Sequence, residues 1–288
     1  MTQASPTVAR WELMLRIRER ADERGEKAHT IARAVDVSPQ YWSTLVKGRG
    51  VLAEDRLARL MTLLEFGSDE QAELRALREV AKERTPFSEY GVLFNDELMR
   101  FFGLEAGAQA IRSFENCVIP GLVQTEDYIR ALMKSAVANG RPTEVEQRVR
   151  ARLQRQQHLD GPDGLHLSIV MGQAALMYEV GGPDVHRDQL RQLLILADKH
   201  PETLGIQVIP FAAGTALASL NASTFNLLSF ESPRLPVIAW LETAIYGEIS
   251  EDTRRVDALQ YLYDQVQAIA LSKDDSLRLI DRIASQIG

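Results

Sequence analysis

Short polar side chains and two basic residues cluster between positions 38 and 49, in the segment SPQYWSTLVKGR. The Gln40 carboxamide can pair with two groups on an adenine, and serine and threonine hydroxyls can contact several base edges. Lys47, Arg49 and the preceding Lys27 are suited to phosphate oxygens. These residue types favour contact with double-stranded DNA. The candidate DNA-binding residues are Lys27, Ser38, Gln40, Tyr41, Ser43, Thr44, Lys47 and Arg49.

The segment 28–48, AHTIARAVDVSPQYWSTLVKG, predicts a helix-turn-helix that would present these side chains. Ala32 is small enough for close contact between two helices, and Asp36, four positions later, can adopt the positive φ that the turn requires. Ser38 is suited to cap the second helix, and Pro39 to its first position. The alternative is an ordinary helical hairpin, and Tyr41 can equally pack on the domain surface. Five apolar residues should face the core: Ile31, Val35, Val37, Trp42 and Leu45.

The periodicity of apolar residues divides the chain at Thr85–Pro86. Residues 1–85 predict an all-α helix-turn-helix domain. Residues 86–288 predict a mixed domain with strands near 165–170, 206–209, 224–230 and 237–249 and two closing helices. Because the strands come late and in a run, we expect an α+β fold with a small, mostly antiparallel sheet.

The charge is distributed unevenly, although the whole chain has a net charge of −7. Residues 27–59 have six basic and three acidic side chains, which gives a patch of +3. So weak a patch would bind DNA loosely at physiological salt. We therefore expect a homodimer on a palindromic operator. An apolar stripe in the first closing helix could form the dimer interface or belong to the domain core: Leu259, Leu262, Val266 and Ile269.

Residues 86–288 contain no recognisable catalytic or metal-binding motif. Cys117, the single cysteine, lies in an apolar run and should belong to the core. We expect no enzymatic activity, no metal and no cofactor. A single cysteine and the lack of a secretory signal or an uninterrupted apolar span favour a cytoplasmic protein without membrane contact.

Two features of this domain are candidate binding surfaces. Helix 143–159 has four arginines, which predict a solvated face paired with acids or, alternatively, a second nucleic-acid surface: Arg148, Arg150, Arg152 and Arg155. The small-residue loop 212–222 is long for a compact domain. Together with four residues earlier in the chain, this loop is a candidate partner or ligand surface: Pro120, Gly121, Gln124 and Tyr128. The alternative is that the loop is a mobile linker.

The N-terminal pattern resembles the Xre-type helix-turn-helix. Four further stretches occur in an order similar to the WhiJ-like, antitoxin-like regulators of actinobacteria: AIRSFENCVIPGLVQTEDYIRAL (110–132), VEQRVRARLQRQQHL (145–159), VGGPDVHRDQLRQLL (180–194) and IQVIPFAAG (206–214). The run VIPGLVQTEDY (118–128) is the most specific. The chain departs from the usual motif at Ala28–His29, where Thr-Gln is common, and at Asp36, where Gly is common.

The resemblance implies control of transcription, with a small protein encoded by a neighbouring gene as partner. Together with the residues, it predicts a sequence-specific, homodimeric regulator with recognition helix 38–47 in the major groove. Its C-terminal domain (86–288) would sense a partner or ligand and mediate dimerisation. The alternative is an antitoxin-like interaction module that neutralises a partner without reading DNA.

Overall fold

The computed structural model describes residues 5–135, 141–160, 164–213, 224–243 and 246–287. The chain divides into two compact units, Met1–Ser88 and Glu89–Gly288. Among the described residues, no helix combines the length and the apolar character needed to cross a membrane.

The N-terminal unit is entirely helical, as predicted. Its core is formed by apolar side chains from all five helices, and Ile17, Leu45 and Leu57 are completely buried there. The five predicted core residues of the helix-turn-helix belong to this core or pack against it. The helices are α1 (Pro6–Glu23), α2 (Ala28–Ala34), α3 (Pro39–Val46), α4 (Glu54–Leu63) and α5 (Ser68–Ala81).

Helices α1 to α4 end in the same way. At each end the chain enters the left-handed region, at Gly25, Asp36, Gly48 and Glu65. The next residue's N–H then donates to a carbonyl five positions back, as Val37 does to Ala32 at 2.9 Å. This is the Schellman arrangement, which satisfies carbonyl groups that a helix end leaves without partners. Each of these four helices therefore ends sharply, with the left-handed residue two positions after its last helical residue.

The C-terminal unit combines helices with one six-stranded sheet. Its helices are α6 (Asp96–Glu105), α7 (Glu126–Ser135), α8 (Val145–Gln156), α9 (Ala174–Met177), α10 (Pro183–Lys199), α11 (Thr253–Ala268) and α12 (Lys273–Gln286). Its strands are β1 (Ala110–Glu115), β2 (His166–Gly172), β3 (Leu204–Ile209), β4 (Phe225–Ser229), β5 (Ile238–Glu242) and β6 (Gly247–Ser250). Short 3-10 turns cover Ser88–Tyr90, Gly121–Val123, Pro142–Glu144, Gln157–Asp160 and Phe211–Ala213.

The strand order is β3-β2-β1-β4-β5-β6. The three pairings on the β4–β6 side are antiparallel, whereas β1–β2 and β2–β3 are parallel. Helices connect β1 to β2 and β2 to β3, and such crossovers return the chain in the same direction. The predicted α+β fold with a mostly antiparallel sheet is confirmed. The parallel half was not predicted, because none of the expected strands includes residues 110–115, where β1 lies.

The sheet has two different faces. One carries Phe114, Phe225 and Leu227 and packs against Val256 and Tyr263 of α11. The stripe proposed for dimerisation, Leu259, Leu262, Val266 and Ile269, belongs to this core or packs against it. The residues of this stripe therefore pack within the C-terminal unit. On the other face lie Ser113 of β1 and its cross-strand partner Asn226 of β4.

Candidate nucleic-acid interface and interior cavity

The turn between α2 and α3 sets the direction of the second helix. Asp36 has φ of 52° there, and the Ser38 hydroxyl accepts the backbone N–H of Tyr41 at 3.1 Å. Both predicted roles, the positive-φ turn residue and the N-cap, are confirmed. Aspartate tolerates this backbone region less well than glycine but better than most side chains. The turn thus keeps its shape despite the departure from glycine.

Helix α3 has a buried and an exposed side. Trp42 and Leu45 are 5% and 0% exposed, which fixes the rotation of the helix about its axis. Among the eight sequence-predicted DNA-binding residues, Thr44 alone is only half-exposed within the chain, and its hydroxyl donates to the Gln40 carbonyl at 3.0 Å. The exposed ones are Lys27, Ser38, Gln40, Tyr41, Ser43, Lys47 and Arg49.

The exposed edge of α3 can form polar contacts at both of its ends. Gln40, in the first turn, offers both a donor and an acceptor, and Lys47 follows the last turn. Asp36, also exposed, contributes a negative charge at the turn. Arg59 of α4 is paired with Asp55 at 3.3 Å, which reduces the positive charge of the patch further.

A cavity of about 730 Å³ lies inside the C-terminal unit. Its floor is the sheet face that carries alternate polar residues: Ser113 and Glu115 on β1, Thr224 just before β4, Asn226 on β4, and Glu242 at the end of β5. Alternate residues of a strand share a face, so these side chains form one polar surface. Helices α6 and α8 contribute the opposite wall through aromatic and arginine side chains: Phe101, Phe102, Arg148, Arg152 and Arg155.

The arginines of α8 do not form a solvated face, although the predicted pairing with acids is confirmed for two of the four. Arg155 makes a bidentate pair with Glu105 of α6, at 2.6 and 2.8 Å, and Arg148 pairs with Glu144 at 3.0 Å. Arg152 donates to the Gln124 carboxamide oxygen at 2.9 Å. Arg150 alone is exposed. A run of arginines spaced three or four apart indicates a common face but not whether that face meets water or an interior cavity.

Two ionisable groups in the cavity have strongly altered acidities. Burial raises the pKa of Glu115 to about 8, although its hydrogen bond from Thr224 opposes this. Glu115 is therefore largely protonated and uncharged at pH 7. Burial also lowers the pKa of Arg152 to about 10, so its guanidinium keeps its charge at neutral pH.

Of the four residues predicted as a partner or ligand surface, three line the cavity: Pro120, Gly121 and Gln124. Gln124 is 4% exposed, and its amide donates to the Ile119 carbonyl at 2.6 Å while its oxygen accepts from Arg152. Tyr128 is fully buried instead. The loop 212–222, predicted to belong to the same surface, lies outside the described residues from position 214 onward.

Cys117 is exposed and also lines the cavity, which corrects the expectation that it belongs to the core. Strand β1 ends at Glu115, so the apolar run around Cys117 leaves the sheet before it reaches this residue. Sequence reasoning also missed Ser113, Glu115, Asn226 and Glu242. Their alternation with large apolar residues was the available signal, but the same alternation is typical of a strand with one face in solvent.

The fold of the N-terminal unit and the exposed edge of α3 define a helix-turn-helix protein, the class typical of DNA-binding regulators. In agreement, the protein-family model described as "Helix-turn-helix domain" matches residues 12–77. A second family model, "Domain of unknown function (DUF5753)", matches residues 98–282. The chain belongs to this family. No curated protein and no solved structure matched the chain.

Proposed function

We propose that the protein is a sequence-specific, homodimeric transcriptional regulator whose recognition helix, residues 38–47, enters the major groove. The observation that carries this proposal is the exposed polar edge of α3, held outward by the burial of Trp42 and Leu45. In this arrangement Gln40 contacts a base edge, and Lys47 and Arg49 contact phosphates. The C-terminal domain receives the signal, as a small partner protein or a ligand.

The weak charge of the recognition surface supports the dimer. A single patch of +3 releases few counterions, so one copy has low affinity at physiological salt. Two copies on a palindrome would double the number of phosphate contacts. We expect the dimer interface to use a surface other than the α11 stripe, because the residues of this stripe belong to the core of the C-terminal unit or pack against it.

The test is fluorescence anisotropy with DNA from upstream of the protein's own gene, compared with a shuffled duplex of equal composition. At about 50 and 200 mM salt, the protein should prefer the native sequence at both concentrations, and its affinity should fall as salt rises. Gln40→Ala should lose about 1–3 kcal/mol of discrimination at particular base pairs. Lys47→Ala should weaken binding to both duplexes alike.

Lys82→Gln is the matched control for Lys47, because it removes one positive charge at the C-terminal end of α5, outside the motif. Equal affinity of the parent protein for native and shuffled DNA at both salt concentrations would refute the proposal. Unchanged base preference in the Gln40 variant would refute the assignment of α3 to the groove.

The resemblance to antitoxin-like WhiJ regulators and the small charge of the patch support a second candidate, in which the chain binds a partner protein without reading DNA. Co-expression with the product of the adjacent gene distinguishes the two. A stable complex of the two proteins, together with no DNA binding by either the complex or the free chain, would favour this candidate.

A further inference from the structure

The cavity of the C-terminal unit lies on the face of the sheet opposite α11. The α11 face of the same sheet is filled by Phe114, Phe225 and Leu227. On the cavity face, the strands instead present hydroxyl, carboxyl and amide groups to a space of about 730 Å³. This volume lies within the range of roughly 300–1,000 Å³ that small-molecule sites occupy.

Ser113 is a buried polar residue on the cavity wall whose hydroxyl has no hydrogen-bond partner among the described residues. It is 2% exposed. A buried polar group without a partner destabilises the fold, because it has lost its hydrogen bonds to water without replacing them. A ligand in the cavity could supply the missing hydrogen bond.

Among the arginines that line the cavity, Arg152 is the one without an ion pair to a carboxylate of the described residues. Its neighbours on α8, Arg148 and Arg155, each form an ion pair with a glutamate, whereas the hydrogen bond of Arg152 goes to the neutral Gln124. Gly121 lies beside it, and a Cβ there would be 3.6 Å from the Arg152 Nε. The guanidinium is thus held in place by neutral groups.

The charges of the lining residues favour an anion. Arg155 is paired with Glu105 and Arg148 with Glu144, while Glu115 is largely uncharged at pH 7. Glu105 is fully engaged by Arg155, and Glu242 accepts the Trp240 indole N–H at 3.2 Å. Of the three lining arginines, Arg152 is the one that makes no ion pair with a carboxylate among the described residues, so an anionic group would pair with it. Phe94, Phe101 and Phe102 form an aromatic wall of the same cavity.

We propose that this cavity binds a small organic anion with an apolar body, whose negative group pairs with Arg152 and whose body lies against the aromatic wall of Phe94, Phe101 and Phe102. The proposal extends the proposed function by naming the class of ligand that the C-terminal domain senses. Binding is measured without DNA, so this proposal and the DNA-binding proposal can fail independently.

The experiment uses two fluorescent probes with the same ring system. 1-Anilinonaphthalene-8-sulfonate (ANS) is an anion, and N-phenyl-1-naphthylamine is its neutral counterpart. The full-length protein should bind ANS at one saturable site. Arg152→Gln should weaken ANS binding at least about tenfold, the effect of losing one charge-assisted hydrogen bond, and leave the neutral probe nearly unaffected.

Arg150→Gln is the matched control, since Arg150 lies on the same helix but is exposed. Asn226→Asp is the second variant, because it adds a negative charge to the cavity wall while keeping the shape of the side chain. It should weaken ANS binding and spare the neutral probe even if Arg152→Gln fails to fold. Equal ANS affinity in the parent, Asn226→Asp and any folded Arg152→Gln would overturn the proposal.

Competition identifies the chemistry of the ligand. Octanoate should displace ANS, whereas inorganic phosphate at the same concentration should not, because phosphate lacks the apolar body. Displacement by phosphate alone would overturn the proposed class of ligand.

Discussion

The ion pair between Glu105 and Arg155 connects α6 to α8 and should be among the most important polar contacts of the C-terminal unit. The two side chains are 5% and 12% exposed, and the two bonds are 2.6 and 2.8 Å long. The Arg155 guanidinium also lies 4.4 Å from the centre of the Phe102 ring. Replacing Glu105 with glutamine keeps the size of the side chain but leaves a buried guanidinium without a counter-charge.

The expected loss of stability follows from the burial of the pair. Two unit charges about 4 Å apart interact by roughly 4 kcal/mol at an effective dielectric constant of about 20. Removing one member of a buried pair typically costs about 3–5 kcal/mol, because the remaining charge stays desolvated. We therefore expect Glu105→Gln to lower the free energy of unfolding of this unit by about 3–5 kcal/mol.

The assay is urea unfolding followed by the fluorescence of Trp240. This residue is the single tryptophan of the C-terminal unit, and its ring stacks on Phe101 of α6 at 4.5 Å. Replacing Trp11 and Trp42 with phenylalanine in the parent and in every variant confines the signal to this unit.

Glu248→Gln is the control, because Glu248 pairs with Arg255 at 2.9 Å but both side chains are well exposed. Its cost should be below about 1 kcal/mol. Adding Arg155→Met to Glu105→Gln should recover part of the lost stability, since it removes the charge that has no partner. A Glu105→Gln cost no larger than that of Glu248→Gln would refute the reasoning.

Two further predictions concern charges at the two sites. Asp36→Asn should tighten binding to all DNA sequences at about 50 mM salt and leave the melting temperature unchanged, because asparagine also tolerates positive φ. Anisotropy and thermal unfolding check this, and unchanged affinity at low salt would contradict it. Folding raises the pKa of Glu115 from 4.5 to about 8, so its protonated form stabilises the fold. That contribution is complete below pH 4.5 and declines as the pH rises to about 8, by at most about 1.4 kcal/mol per pH unit. Urea unfolding at pH 5.5, 7 and 8.5 should show Glu115→Gln gaining stability relative to the parent as pH rises, and a constant difference would show that the carboxyl is not buried.

The sequence was sufficient to predict the helix-turn-helix because every requirement of that motif is local. Asp36, Ser38 and Pro39 determine the turn and the helix start through their own backbone preferences, and the apolar spacing determines which side of α3 is buried. The same local reasoning predicted the positions of β2, β3 and β4, and it predicted one strand over 237–249 where the structure has β5 and β6. It failed for β1, whose polar alternate residues concealed a central strand.

The cavity could not be predicted, because it depends on contacts between residues far apart in sequence. Arg155 and Glu105 are separated by 50 positions, and Glu115 and Thr224 by 109. A strand pattern shows which side chains share a face, but not whether that face meets solvent, a packed helix or an enclosed space. Likewise, the spacing of the arginines on α8 determined a common face, while the position of α8 over the sheet decided that Arg152 faces the cavity.

The sequence alone therefore determined the local elements: the helix ends, the turn at Asp36 and the buried side of α3. Only the tertiary structure decided the interior chemistry of the second unit. Burial there makes Glu115 a neutral acid and leaves Arg152 charged beside neutral partners. Both effects arise from the removal of water, which depends on how helices α6 and α8 cover the sheet and not on the neighbours of either residue along the chain.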